Sequence, residues 1–239
     1  MTAVRRRSFV GSTLLLAIVC LFVAPGALAG KSAREVAVSL PAAGELTVPV
    51  AVARKAPKPN AGRVLVLHQF RTDFRYQEVL AIAATHDADG KLWYRLNLPM
   101  RPNGTTGWVS ARQVELHHVT VRILINIAER RLQLLRGNRV LYTTKVAVGA
   151  PGMETPTGHF YVQVRFHPDD PFLGVFAFET SAYSKLTEWP GGGVVGIHGT
   201  SLPSLLGRAV SHGCVRVSNS AARVLERLVP LGTPVSIVP

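Results

Sequence analysis

Apolar and polar positions alternate along most of the chain from residue 62 onward. Val121, Ile123, Ile125 and Ile127 alternate with Thr120, Arg122, Leu124 and Asn126, the period-two pattern of a strand with one buried face. Leu132 and Leu134 repeat it. Arg136, Gly137, Asn138 and Arg139 then supply a tight turn before Val140, Tyr142, Thr144, Val146 and Val148, so a hairpin is predicted. A further strand is predicted over 160–166, and 167–195 reads as loop-rich. Upstream, 64–67, 78–83 and 92–96 are short strand candidates separated by turns at 87–90 and 102–104, a spacing that predicts a small barrel. One stretch has helical spacing: Ala222, Leu225, Leu228 and Val229 share a face, Ser218 or Asn219 can cap it, and Pro230 with Gly232 stops it. The expected fold is mainly β, with a small β-barrel module over 62–116 and a β-sandwich-like domain with one C-terminal helix over 119–239.

The first sixty residues have a different texture. Arg5, Arg6 and Arg7 precede an apolar run over 14–23, and Pro25 and Gly26 break it ahead of Ala27, Leu28 and Ala29. This is the layout of a cleavable signal peptide over 1–29. The uncharged run over 8–30 is also long enough for a retained anchor. The Arg pair followed by Ser8, Phe9 and Val10 loosely resembles a twin-arginine signal, so the export route stays open. Cys20 lacks the small preceding residue of a lipoprotein site, since Val19 stands there. Residues 30–61 carry Pro41, Pro49, Pro57 and Pro59 with weak periodicity and read as a Pro-rich tether. Part of it, over 45–52, is a candidate edge strand.

Charge sharpens the picture. Lysine and arginine number 27 against 14 acids, and removing a leader with three arginines and no acid leaves +10. Such a field favours anionic partners, and export points to an anionic cell wall rather than nucleic acid. Cleavage also removes Cys20, leaving Cys214 as the one cysteine in an oxidising compartment. A lone cysteine there is a buried bystander, an intermolecular linker or a reactive thiol, and its neighbours must decide.

Those neighbours are "GIHGT" at 196–200 and "SHGCVR" at 211–216. A thiol nucleophile needs a base, the base needs orienting, and the attacked carbonyl needs amide donors. All eight histidines precede Cys214, so a base must come from upstream, from His198 or His212. His198, His212 and Cys214 lack a fourth ligand at useful spacing for zinc, so no metal and no cofactor are expected.

The run "GIHGTSLPSLLGRAVSHGCVRVSN" resembles the signature of L,D-transpeptidases, the YkuD-type domains, and "AVGAPGMETPTGHF" is similar to a strand-turn-strand segment of that family. The likeness covers 119–239. The run "LWYRLNLPMRPNGTTGWVS" resembles the SH3-like segment ahead of the catalytic domain in some actinobacterial wall enzymes. By resemblance, Cys214 is the nucleophile, His198 its proton acceptor and donor, and the Gly199 carbonyl orients the imidazole. Backbone amides of His212, Gly213 and Cys214 would form the oxyanion hole. Apart from the resemblance, Ser211, Arg216 and Tyr183 are candidate substrate contacts, Arg216 either as a bidentate fork for a carboxylate or as a residue that simply faces solvent. The shortened stretch between His198 and Ser211, and Arg216 where some members have Asn, match a subgroup reading "HGT…SHGCIR".

The resemblance implies two-step acyl transfer: a thioester formed from a tetrapeptide stem at diaminopimelate with loss of D-alanine, then capture by an acceptor amine to give a 3-3 cross-link. It also implies reaction with carbapenems. Alternatives are an L,D-carboxypeptidase, in which water replaces the amine, and a non-enzymatic wall-binding protein. Tyr183 and Trp189 are candidates for a lid. The barrel module holds no nucleophile–base pairing, so it is expected to adjust position and contribute no chemical group.

Overall fold

Two curled sheets account for the two strand-rich regions of this computed structural model, which describes Thr2 and residues 35–188 and 190–239. The expected leader, Cys20 and Trp189 lie outside the described residues. The first sheet comprises β1 (Ala42–Leu46), β2 (Val50–Arg54), β3 (Arg63–His68), β4 (Glu78–His86), β5 (Leu92–Asn97), β6 (Thr106–Ser110) and β7 (Val114–His118). Their order is β3-β2-β6-β5-β4-β1-β7. Leu46, Ala51, Leu67, Val79, Leu96 and Val109 fill its inner face.

The tether expected over 30–61 is therefore a strand pair from Ala42 on. β1 lies between β4 and β7, and β2 between β3 and β6, so both are interior rather than edge strands. Pro41 and Pro49 stand just outside these strands, where a missing N–H interrupts no ladder. The module so formed begins twenty residues before the expected boundary at 62. Alanine at 42, 43, 51 and 53, all fully buried, hid the strands, because small residues carry little hydrophobic contrast.

The second sheet comprises β8 (Val121–Asn126), β9 (Arg131–Arg136), β10 (Arg139–Lys145), β12 (Gly158–Phe166), β13 (Ala177–Tyr183), β14 (Val194–His198), β16 (Val215–Arg216) and β17 (Pro234–Val238), with the two-stranded β11 (Val148–Gly149) and β15 (Ala209–Ser211) beside it. The order β10-β9-β8-β17-β12-β13-β14-β16 places the C-terminal strand at the centre of the sheet. The 131–145 hairpin is present as expected. One helix, α1 (Asn219–Leu228), lays Ala221, Ala222 and Leu225 onto the core formed with Ile123, Phe160 and Ile197. Ser218 caps it by accepting from the Ala221 N–H. Asn219 Oδ1 instead accepts from the Val175 and Thr200 N–H groups. The region read as loop-rich, 167–195, contains the seven-residue strand β13.

Arg34–Pro239 packs as one unit, and several contacts join the two sheets. Ala43, Leu80, Val119 and Tyr161 form a buried cluster between them, and the Tyr161 hydroxyl donates to the Glu78 carbonyl at 3.0 Å. On the other side, barrel loops grip the β13–β14 connection. Asn103 bonds both the N–H and the carbonyl of Tyr183, at 3.0 and 2.8 Å. Arg101 donates to the carbonyls of Ser184 and Gly192. These bonds place the barrel at the rim of the site.

Candidate active site

The site is built where β14 ends against β16. Along β14, Val194, Gly196 and His198 share one face, and all three line a cavity of about 310 Å³ that also exposes Cys214, Phe172 and Glu179. Gly196 is the centre of the arrangement. Its N–H donates to Cys214 Sγ at 3.3 Å. A Cβ built on it would stand 3.7 Å from that sulfur and 3.8 Å from the His198 ring. Thiol and imidazole thus flank the same glycine, and a side chain at 196 would intrude between them.

His198 is buried, and its Nδ1 is 2.6 Å from the Gly199 carbonyl. A carbonyl only accepts, so Nδ1 carries the proton and Nε2 is the basic nitrogen. The peptide of Gly199 is fixed in turn by Asn219. Its Oδ1 accepts from the Val175 and Thr200 N–H groups, each at 3.2 Å. A side chain on Gly199 would collide with that oxygen at 2.3 Å. Burial is the main cause pulling the imidazole down to about 4. The Gly199 carbonyl opposes it, Arg216 adds to it, and the Leu173 carbonyl opposes it. The ring is neutral at pH 7. Burial likewise pushes the Cys214 thiol up, opposed by the Gly196 N–H and by the charge of Arg216. The resting pair is thiol and imidazole.

The remaining residues of the motif do not line the cavity. Ser211 is 1% exposed. Its hydroxyl donates to the Cys214 carbonyl and accepts from the Gly213 N–H at 3.2 Å. It shapes the loop and does not face a substrate. The Gly213 N–H is thereby engaged and is not the free oxyanion donor expected of it. Gly213 has φ +114°, and a Cβ there would meet Ser184 Cβ at 3.0 Å, so this turn requires glycine. Thr155, which sequence reasoning missed, ties the loop down: its hydroxyl donates to the Gly213 carbonyl and accepts from the Gly149 N–H. His212, half-buried, does not line the cavity.

Arg216 was read as a fork for a substrate carboxylate. It is 5% exposed and is not part of the cavity wall. Its guanidinium lies 4.6 Å from the Phe172 ring, and its Nε is buried with no hydrogen-bond partner. No carboxylate pairs with it among the described residues. Its charge acts on Cys214. Tyr183 lies away from the sulfur, its ring under Arg101 at 4.5 Å and its hydroxyl on the Pro99 carbonyl at 3.2 Å. That is an anchor to the barrel rather than a free lid.

The L,D-transpeptidase catalytic domain family named YkuD matches residues 120–237, and a protein of Bacillus licheniformis named, by inference, L,D-transpeptidase YkuD is 36% identical over 122 residues. That alignment covers 51% of this chain and 67% of the relative. This chain belongs to the YkuD family. The Bacillus subtilis YkuD, named on the same footing, is 37% identical over 120 residues, covering 50% of this chain and 66% of its own. The chain thus spans about two thirds of the length of these YkuD relatives. A solved L,D-transpeptidase from Mycobacterium tuberculosis H37Rv aligns over 84% of this chain and 96% of its own with 15% identity and a TM-score of 0.46.

Sequence reasoning also missed Glu179, which with Asp170 brings a carboxylate to the cavity that holds the thiol. Directly opposite Gly196 in the β13–β14 ladder, it lines the cavity beside Cys214. The alternation of Ala177, Glu179 and Ser181 was its only local signal.

Proposed function

We propose that the chain is an exported L,D-transpeptidase that joins peptidoglycan stem peptides through a thioester on Cys214. The observation that carries this is the shared cavity in which Cys214 Sγ and the His198 ring flank Gly196. Family membership supports the reaction class.

In the first step a stem-peptide carbonyl enters the cavity. The Cys214 proton passes to His198 Nε2 as sulfur attacks, and the Gly199 carbonyl holds the imidazolium through Nδ1–H. Arg216, buried and acting on Cys214 through its charge, stabilises the negative charge on thiolate and oxyanion. The Cys214 N–H, without a protein partner among the described residues, donates to the oxyanion. The imidazolium then protonates the departing amine, which the family likeness suggests is D-alanine. In the second step an acceptor amine replaces it, giving a 3-3 cross-link. The +10 charge left after removal of a leader over 1–29 suits an anionic wall. Amino-terminal sequencing of exported protein should begin near Gly30.

The test is to incubate the protein with diaminopimelate-type muropeptides and identify products by mass. A cross-linked dimer with loss of D-alanine is expected. Release of D-alanine without a dimer would assign an L,D-carboxypeptidase. Full turnover by Cys214→Ala would remove the mechanism.

A further inference from the structure

A two-substrate reaction at one sulfur needs a second binding place beside it. The cavity holding Cys214 and His198, about 310 Å³, accommodates one chain. A groove of about 530 Å³ adjoins it and shares three wall residues, Glu179, Gly191 and Val194. Its opposite wall comes from the barrel: the apolar edge of β3 with Phe70 and Arg71. Phe70 stacks on Tyr76 at 4.7 Å, and both rings are about half exposed.

Glu179 stands where the two spaces meet. It is directly opposite Gly196, roughly 5 Å away backbone to backbone across an antiparallel ladder, and the Gly196 N–H touches the sulfur. Arg71 of the barrel, 108 residues distant in sequence, takes Glu179 Oε2 at 2.7 Å. Oε1 has no protein partner among the described residues, and the side chain is 31% exposed. The carboxylate is pinned on one oxygen and open on the other.

We propose that this groove is the acceptor subsite, and that Glu179, pinned by Arg71, receives the primary ammonium of the second peptide while its chain lies along β3 toward Phe70. This rests on the thioester reading of Cys214. One nitrogen proton goes to the Glu179 carboxylate and out to water. The amine then attacks the thioester carbon, the C–N bond forms and the C–S bond breaks. The second nitrogen proton passes through His198 to the leaving sulfur. The barrel is thus a wall of the active site, not a remote tether.

The experiment uses the full chain acylated by a tetrapeptide donor, the thioester being verified by intact mass. Nα-acetyl-lysine amide, a primary ammonium on an uncharged body, is titrated as acceptor, and the partition between amide and hydrolysis is read. Glu179→Gln should raise the half-saturating amine concentration about tenfold or more, the scale of one lost charge contact. Arg71→Met should shift it in the same direction. Hydroxylamine, uncharged at neutral pH, should show a smaller shift in both variants. An unchanged half-saturation, an equal shift for hydroxylamine, or a loss of acylation as large as the loss of transfer would overturn the subsite. A wild-type protein that forms no thioester would overturn the reading of Cys214, and the subsite with it.

Discussion

Glu78 offers the most quantitative test of how the two sheets are joined. It begins β4 at the seam, is 4% exposed, and its Oε1 is buried without a partner. In the barrel ladders it faces Glu45, which in turn faces Glu115. Burial, and then the charge of Glu45, push its carboxyl up from 4.5 to about 8. An acid with a raised pKa keeps its proton in the folded state, so its favourable contribution is complete below pH 4.5 and is lost as pH rises toward 8. At pH 7, two and a half pH units above the unfolded value, the loss comes to ~3 kcal/mol at ~1.4 kcal/mol per unit. Glu78→Gln removes the titration and keeps the shape. Thermal melts of both proteins from pH 4.5 to 8.5 should coincide near pH 4.5. They should then diverge, the Gln variant melting ~6–12 °C higher at pH 7 if each kcal/mol moves a domain of this size by ~2–4 °C. A difference that does not vary with pH would show that Glu78 ionises in place without penalty, and the reasoning would fail.

Four further outcomes are expected. Because His198 is held at about 4, acylation of Cys214 by a carbapenem, followed by intact mass, should persist as pH falls from 7 to 5 and decline only toward 4. A half-loss near 6.5 would refute a buried neutral imidazole. Asn103→Ala deletes two hydrogen bonds to the Tyr183 backbone, worth ~1–3 kcal/mol together. It should speed proteolytic nicking after Lys185, and an unchanged nicking rate would mean the barrel does not hold this loop. For the same reason a fragment of residues 119–239 should lose amine transfer, contrary to what the absence of a nucleophile–base pair in the barrel suggested. Arg216→Met should move the pH dependence of Cys214 alkylation upward, because the cation opposing the effect of burial is gone, and Arg216→Lys should restore part of it.

Much of this protein was legible in one dimension. The 131–145 hairpin and α1 follow from periods of two and 3.6 and from caps within a few residues. The runs around His198 and Cys214 were enough to suggest a thiol chemistry and a family, because the residue types such a site needs lie within two short stretches, one ending strand β14 and the other turning at Gly213. What the sequence could not decide was which polar groups face the cavity. Ser211 and Arg216 lie in the motif yet are buried off the cavity wall, and Gly213 spends its N–H on Ser211. Glu179 and Arg71, unremarkable in their own segments, meet at the mouth of the cavity only because β13 pairs with β14 and the barrel docks against both. Side-chain period within a strand is set by the backbone of that strand alone. Which strands become neighbours, and hence which carboxylate stands beside which thiol, depends on burial summed over the whole core, and no local pattern encodes it.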